Sequence, residues 1–159
     1  MKSRLLQELS KRKVLLSDGA MGTQLQVKGL KTGDCPEEWN ESHPAIVTEI
    51  AREYYDAGSD IVLTNTFGGS SFKLKKYGLD AKGEKLNRLG VELARKAAGT
   101  GKFVVASIGP SGEFMEPLWT ITEPEMVASF AAQVRASLLF QCGNERVQEH
   151  THDTVSGHD

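Results

Sequence analysis

Three stretches of the chain carry side chains suited to chemistry, and each follows a short apolar run. Asp18-Gly19-Ala20-Met21-Gly22-Thr23 follows Val14-Leu15-Leu16, Asn65-Thr66-Phe67-Gly68-Gly69 follows Ile61-Val62-Leu63 with Thr64 between, and Ser107-Ile108-Gly109-Pro110-Ser111-Gly112 follows Phe103-Val104-Val105-Ala106. Glycine admits a ligand close to the backbone, while carboxylate, amide and hydroxyl groups orient its charged ends. Gly, Asp and Asn are also ordinary turn residues, so one such loop reads as a turn. Three at successive strand ends read as a binding site. Gly19, Ala20 and Gly22 fit neither GxGxxG nor GxxxxGK[ST], which argues against a nucleotide phosphate cradle.

Other reactive residues carry weaker patterns. Glu113 and Glu116 lie on one loop and read as solvated carboxylates. Trp39 and Trp119 each sit in a proline-containing loop, where they either cover a pocket at the rim or pack on the sheet. Cys142, His150, His152, Asp153 and His158 have ligand chemistry, but no helix or strand pattern fixes their geometry, so the end of the chain reads as unstructured and polar. Cys35 and Cys142 lack any paired spacing, which predicts free thiols in a reducing cytoplasm.

The elements that must position the loops follow from apolar periodicity. Leu5, Leu6 and Leu9 predict a helix from about Ser3 to Arg12, and Val14 to Leu16 predict a buried strand. Residues 26 to 43, with Gly29, Gly33 and Pro36, read as a long surface connection. Ile46, Val47, Ile50, Ala51, Tyr54 and Ala57 share one face of a helix that Pro44 opens and Gly58 closes. Ile61 to Leu63 form a second strand, and Phe72 to Tyr77 a short helix. A third long helix runs from about Ala81 to Ala98, and Phe103 to Ile108 form a third strand. Thr122, Glu123, Pro124 and Glu125 open a fourth helix whose buried face is expected at Met126, Phe130, Ala131 and Val134.

Helices alternating with short apolar strands predict an α/β fold: a parallel sheet covered on both faces, with its loops gathered at the carboxyl rim. At 159 residues, 39% hydrophobic, 25% charged and net charge −2, the chain suits one domain that binds a small molecule or a protein, with no basic excess for nucleic acid and no apolar run for a membrane. It falls short of the roughly 250 residues of a closed eight-unit barrel.

Taken together, DGAMGT at 18 to 23, CPEEWN at 35 to 40, HPAIV at 43 to 47, AGSDIVLTNTFGG at 57 to 69, KYGL at 76 to 79 and SIGPSGE at 107 to 113 resemble the homocysteine S-methyltransferase family, above all the homocysteine-binding module of cobalamin-dependent methionine synthases. The resemblance runs from about Leu5 to Ala136. It implies a (β/α)8 TIM barrel, of which this chain carries the first three to four βα units, and methyl transfer to the homocysteine thiol to form methionine. It further implies zinc on the thiol and an activated methyl donor, corrinoid-borne or other, brought by a corrinoid-binding protein or domain. By resemblance, Asp18, Gly19, Ala20, Met21, Gly22 and Thr23 hold the amino-acid part of homocysteine, with Asp18 facing its ammonium, and Asn65, Thr66, Gly109, Pro110 and Ser111 line the same rim.

The departures shape the expectation. The family's zinc-binding cysteines and a homocysteine-binding glutamate lie on later strands, and Cys35 matches none of them. After Ala136 the likeness stops, so residues 137 to 159 are expected to be an out-of-frame or disordered tail. The chain is accordingly expected to be a truncated, inactive copy, or a non-catalytic half-barrel that self-associates through an open sheet edge.

Overall fold

The structure, a computed structural model, describes residues 4–11, 14–117 and 120–138. Trp119 and the tail residues Cys142, His150, His152, Asp153 and His158 lie outside the described residues, as does nearly all of segment 137–159. The chain order is α1 (Arg4–Lys11), α2 (Met21–Val27), a 3₁₀ turn at Pro36–Glu38, α3 (Trp39–Ser42), α4 (Pro44–Asp56), β1 (Ile61–Leu63), α5 (Ser71–Lys75), a 3₁₀ turn at Asp80–Lys82, α6 (Gly83–Ala97), β2 (Phe103–Val105) and α7 (Glu123–Leu138).

The parallel sheet is present: β1 pairs with β2 in the register Ile61 to Phe103, Val62 to Val104 and Leu63 to Val105. The buried first strand expected at Val14 to Leu16 is not formed: Val14 and Leu16 are exposed, and the pairing there is one parallel bridge between Ser17 and Ile61. The physical reason is Asp18. Its N–H donates to Ile61 O (3.0 Å), but the next rung, the Leu63 N–H, donates to the Asp18 side chain at Oδ2 (3.0 Å). The carboxylate thereby replaces a backbone carbonyl and lets the chain turn away into α2.

Burial pushes the Asp18 carboxyl up, against the hydrogen bonds it accepts from the Leu63 N–H and the Ser17 hydroxyl. A raised folded-state value means the native state holds the proton more tightly. This contribution therefore favours folding at low pH and is lost as pH rises through the carboxylate range. Asp18→Asn keeps an acceptor for Leu63 and is expected to match or exceed the parent's stability at neutral pH while flattening that part of the pH profile. Asp18→Ala orphans the Leu63 N–H and is expected to cost about 1–3 kcal/mol; urea melts between pH 4 and 7 check both.

The helices follow their local signals. Pro44 opens α4, and Gly58, at φ +108°, closes it with its N–H donating to Tyr55 O (3.0 Å) while the Ser59 N–H donates to Tyr54 O (3.0 Å). The inner face of α4 buries Val47, Ile50, Ala51 and Tyr55, and the helix packs beside α6. Leu25, Ile50 and Leu93 form one core cluster, Val62 packs with Ala51 and Tyr55, and Leu74 packs with Leu86 and Cys35. Each wholly buried leucine or isoleucine contributes roughly 1.5–3 kcal/mol.

Three expectations about packing are corrected. Residues 26–43 are not a surface connection, because they contain α3 and bury Leu30, Cys35, Glu37, Trp39 and Asn40. Trp39 is a core residue stacked on His43, with ring centroids 4.3 Å apart. The buried face of α7 is also not the apolar one: Ser129, Gln133, Ala136 and Ser137 are buried, Met126, Phe130 and Ala131 are half-buried, and Val134 is exposed. Small and polar side chains let α7 approach α5, where Ser71 and Ser129 share a hydroxyl hydrogen bond (2.8 Å). Nor is the sheet covered equally on both faces. Val62 and Val104 are buried, whereas Ile61, Leu63, Phe103 and Val105 are half-buried.

Candidate functional site

The loops after β1 and β2 are tied by a closed circuit of hydrogen bonds. The Ser107 N–H donates to Thr64 Oγ1 (3.1 Å), the Thr64 hydroxyl lies 2.5 Å from Thr66 Oγ1, and the Thr66 hydroxyl donates to Ser107 O (2.8 Å). The Gly109 N–H adds a bond to Phe67 O (2.9 Å). A Cβ at Gly109 would stand 2.6 Å from the Phe67 ring, so glycine is what permits this approach. From α7, Gln133 Nε2 donates to Thr66 O (2.7 Å).

A second network fixes the loop before α3 against the loop after β1. Asn40 Nδ2 donates to Asn65 O (2.8 Å) and Leu86 O (3.0 Å), and Asn65 Nδ2 donates to Asn40 Oδ1 (3.0 Å) and Pro36 O (2.7 Å). The Gly68 N–H donates to Glu37 Oε1 (2.6 Å), and the Cys35 thiol donates to Glu37 Oε2 (3.3 Å).

These ties frame a cavity of about 380 Å³ at the carboxyl ends of the strands. Its lining comes from Gly19, Met21 and Gly22 at the Asp18 turn and the start of α2, from Leu63, Thr64, Asn65, Phe67 and Gly68 at the end of β1 and the loop beyond it, and from Ser107 after β2. Glu37 and Pro36 close one side, and Lys73 and Tyr77 reach in from α5 and the turn beyond it. Such a volume suits a small amphipathic molecule.

The residues expected at the site separate into two groups. Gly19, Met21, Gly22 and Asn65 line the cavity. Asp18, Ala20, Thr23, Thr66, Gly109, Pro110 and Ser111 are not in its lining. Asp18 and Thr66 spend their side chains on the rim's own hydrogen bonds, Thr23 is exposed on α2, and Ser111 bonds within its turn to Glu113. Glu113 pairs with Lys76 (2.7 Å). Sequence reasoning missed Glu37, Lys73 and Tyr77; Glu37 and Tyr77 lie in the CPEEWN and KYGL segments, and Lys73 carries no local signal.

The described residues do not fit a zinc site. Among them no three His, Cys, Asp or Glu side chains stand together in a way that could hold a metal ion. Burial, and next the charge of Glu37, push the Cys35 thiol up to about 12, the opposite of what a thiolate ligand needs. In the folded chain at pH 8, iodoacetamide is therefore expected to alkylate Cys35 at least about 100-fold more slowly than in the unfolded chain. Mass spectrometry of the Cys35 peptide over time reads that ratio.

The family profile described as homocysteine S-methyltransferase matches residues 15–149. The chain belongs to the homocysteine S-methyltransferase family. Among family relatives, methionine synthase of Mycobacterium leprae is 38% identical over 118 residues, which cover 67% of this chain and 10% of that protein. Betaine–homocysteine S-methyltransferase 1 of Danio rerio is 33% identical over 105 residues, covering 64% of this chain and 26% of that protein. The crystal structure of the homocysteine methyltransferase MmuM from Escherichia coli in its oxidized form superposes with a TM-score of 0.72 at 27% identity, over 86% of this chain and 53% of that one. Its metallated form gives 0.68 at 28% identity, over 84% and 52%. The chain thus spans about half the length of the solved family enzyme and a smaller share of the other relatives.

Proposed function

We propose that the cavity binds homocysteine and that the chain supplies the amino-acid-holding part of a homocysteine S-methyltransferase. The observation that carries this reading is the cavity itself. In a chain of this family, the ends of β1 and β2 and the Asp18 turn converge on one pocket of suitable size, lined by Gly19 and Gly22 together with Asn65 and Ser107. Methyl transfer forms a sulfur–carbon bond, breaks the donor–methyl bond and releases the thiol proton. The described residues hold and orient the amino acid; they provide no metal cluster for its sulfur.

We read the chain by itself as binding-competent and inactive, with the methyl donor carried by a corrinoid-binding protein or domain. A free, buried Cys35 suits a reducing cytoplasm, and among the described residues no helix is long and apolar enough to cross a membrane. Calorimetric titration with L-homocysteine under reductant tests the reading, with one saturable site expected. Absence of binding overturns it. A methylation assay supplied with zinc and a methylcorrinoid is expected to show no turnover; turnover overturns the inactive assignment.

The half-buried side of β1 and β2, together with exposed Val127, Val134 and Leu138 on α7, favours a second reading in which the chain acts as an assembly module. Analytical ultracentrifugation distinguishes a monomer from an associating species.

A further inference from the structure

The loop that brings Phe67 and Gly68 to the cavity is a four-residue turn: the Gly69 N–H closes it on Thr66 O at 3.0 Å, with Phe67 and Gly68 at its tip. Two side-chain amides from the helices grip its two ends. Gln133 Nε2, on α7, donates to Thr66 O at 2.7 Å, and Asn87 Nδ2, on α6, donates to Gly69 O at 2.8 Å and to Gly83 O at 2.7 Å. The tip is held separately: the Gly68 N–H donates to Glu37 Oε1, and the Gly109 N–H donates to Phe67 O.

Both amides use their donor end alone. Among the described residues, the buried side-chain polar atoms without a hydrogen-bond partner are Asn87 Oδ1 and Gln133 Oε1, the acceptor ends of this same pair. The two residues are 1% and 2% exposed, and Asn87 Oδ1 lies against Gly69, where a Cβ would overlap it. A buried acceptor without a donor costs more than a made hydrogen bond returns, so an amide at either position is a poor choice for stability. Nor does Thr66 O need Gln133 to be satisfied, because it already accepts from the Gly69 N–H. What Gln133 adds is a fixed direction for that carbonyl, and with it the orientation of the peptide leading into Phe67.

We propose that Gln133 and Asn87 are positioning residues for the cavity: they fix the turn that presents Phe67 and Gly68 to the ligand, and they lower the stability of the fold in doing so. The proposal rests on the reading of the cavity as a homocysteine site. Groups held in unfavourable surroundings gather at functional sites, where replacing them stabilises the fold and weakens the function.

Gln133→Met tests the role, because methionine keeps the length of the side chain, removes the unpartnered oxygen and leaves Thr66 O its Gly69 donor. The variant is expected to melt at the wild-type temperature or above it, and to bind L-homocysteine roughly 3- to 10-fold more weakly by calorimetry. Its Phe67 and Gly68 amide resonances are expected to differ from those of the wild type before any ligand is added. A lower melting temperature, or failure to fold, makes the amide a stability device and overturns the proposal. Undiminished affinity overturns it as well, and so do Phe67 and Gly68 amides that stay in place. Failure of the wild-type chain itself to bind homocysteine is a different result: it overturns the cavity reading and, with it, this role.

Discussion

Replacing Asn40 by alanine is expected to lower the unfolding free energy by about 2–4 kcal/mol. The side chain is 1% exposed and makes three hydrogen bonds: donations to Asn65 O and Leu86 O, and acceptance from Asn65 Nδ2. Its loss leaves Asn65 O and part of the Asn65 amide without their partners in a place water does not reach. A buried acceptor without a donor costs its full desolvation, whereas a satisfied pair returns only about 1 kcal/mol. The effect reaches the cavity because Asn65 also anchors Pro36, the residue before Glu37. Urea melts should show a lower midpoint at unchanged slope, and the surviving folded fraction should bind homocysteine more weakly.

The second large effect is expected at Gly90. In the middle of an exposed helix, glycine to alanine stabilises by up to about 1 kcal/mol. Here the sign reverses. A Cβ on Gly90 would stand 2.6 Å from Thr66 Cγ2, 3.0 Å from Asn40 Nδ2 and 3.3 Å from Asn65 O. Each neighbour is buried and hydrogen-bonded, so none can yield cheaply. Gly90→Ala is expected to destabilise by about 1–3 kcal/mol, the usual cost of overpacking a tight site. Thermal melts read the loss, and an unchanged or raised melting temperature would show that α6 can retreat from the rim freely.

Both predictions concern residues whose importance lies in long-range polar contacts, and this marks where the sequence was legible. The bounds of α4 and β1 follow from local signals: Pro44, the apolar face through Tyr55, Gly58, then the unbroken Ile61-Val62-Leu63 run. The positions of the three rim loops followed from the same alternation, and four of the expected site residues do line the cavity. Residues 26–43 were misread because periodicity measures apolar burial. Glu37 and Asn40 are buried through partners 25 to 46 positions away, at Asn65, Gly68 and Leu86, and no local pattern announces such pairing.

The Asp18 turn shows the same limit from the other side. Its residue types suggested an open loop with a carboxylate facing a ligand. The chain instead continues at once into α2, and the carboxylate completes the sheet. Local sequence reports that a strand ends there; it does not report that the Leu63 N–H, 45 positions later, will need an acceptor. On α7, the apolar residues were the visible signal, yet the face that packs is the one with Ser129 and Gln133, because close helix approach requires small side chains and the rim required an amide donor at Thr66.

The claim on which the rest depends is that the cavity between the Asp18 turn and the loop after β1 holds homocysteine. Two-dimensional ¹⁵N NMR of the full chain titrated with L-homocysteine tests it most directly. The account predicts saturable shifts in the backbone amides of Gly19, Gly22, Asn65 and Gly68, with the amides around Asn87 and Gln133 unmoved. Shifts centred elsewhere, or none at saturating ligand, would contradict it.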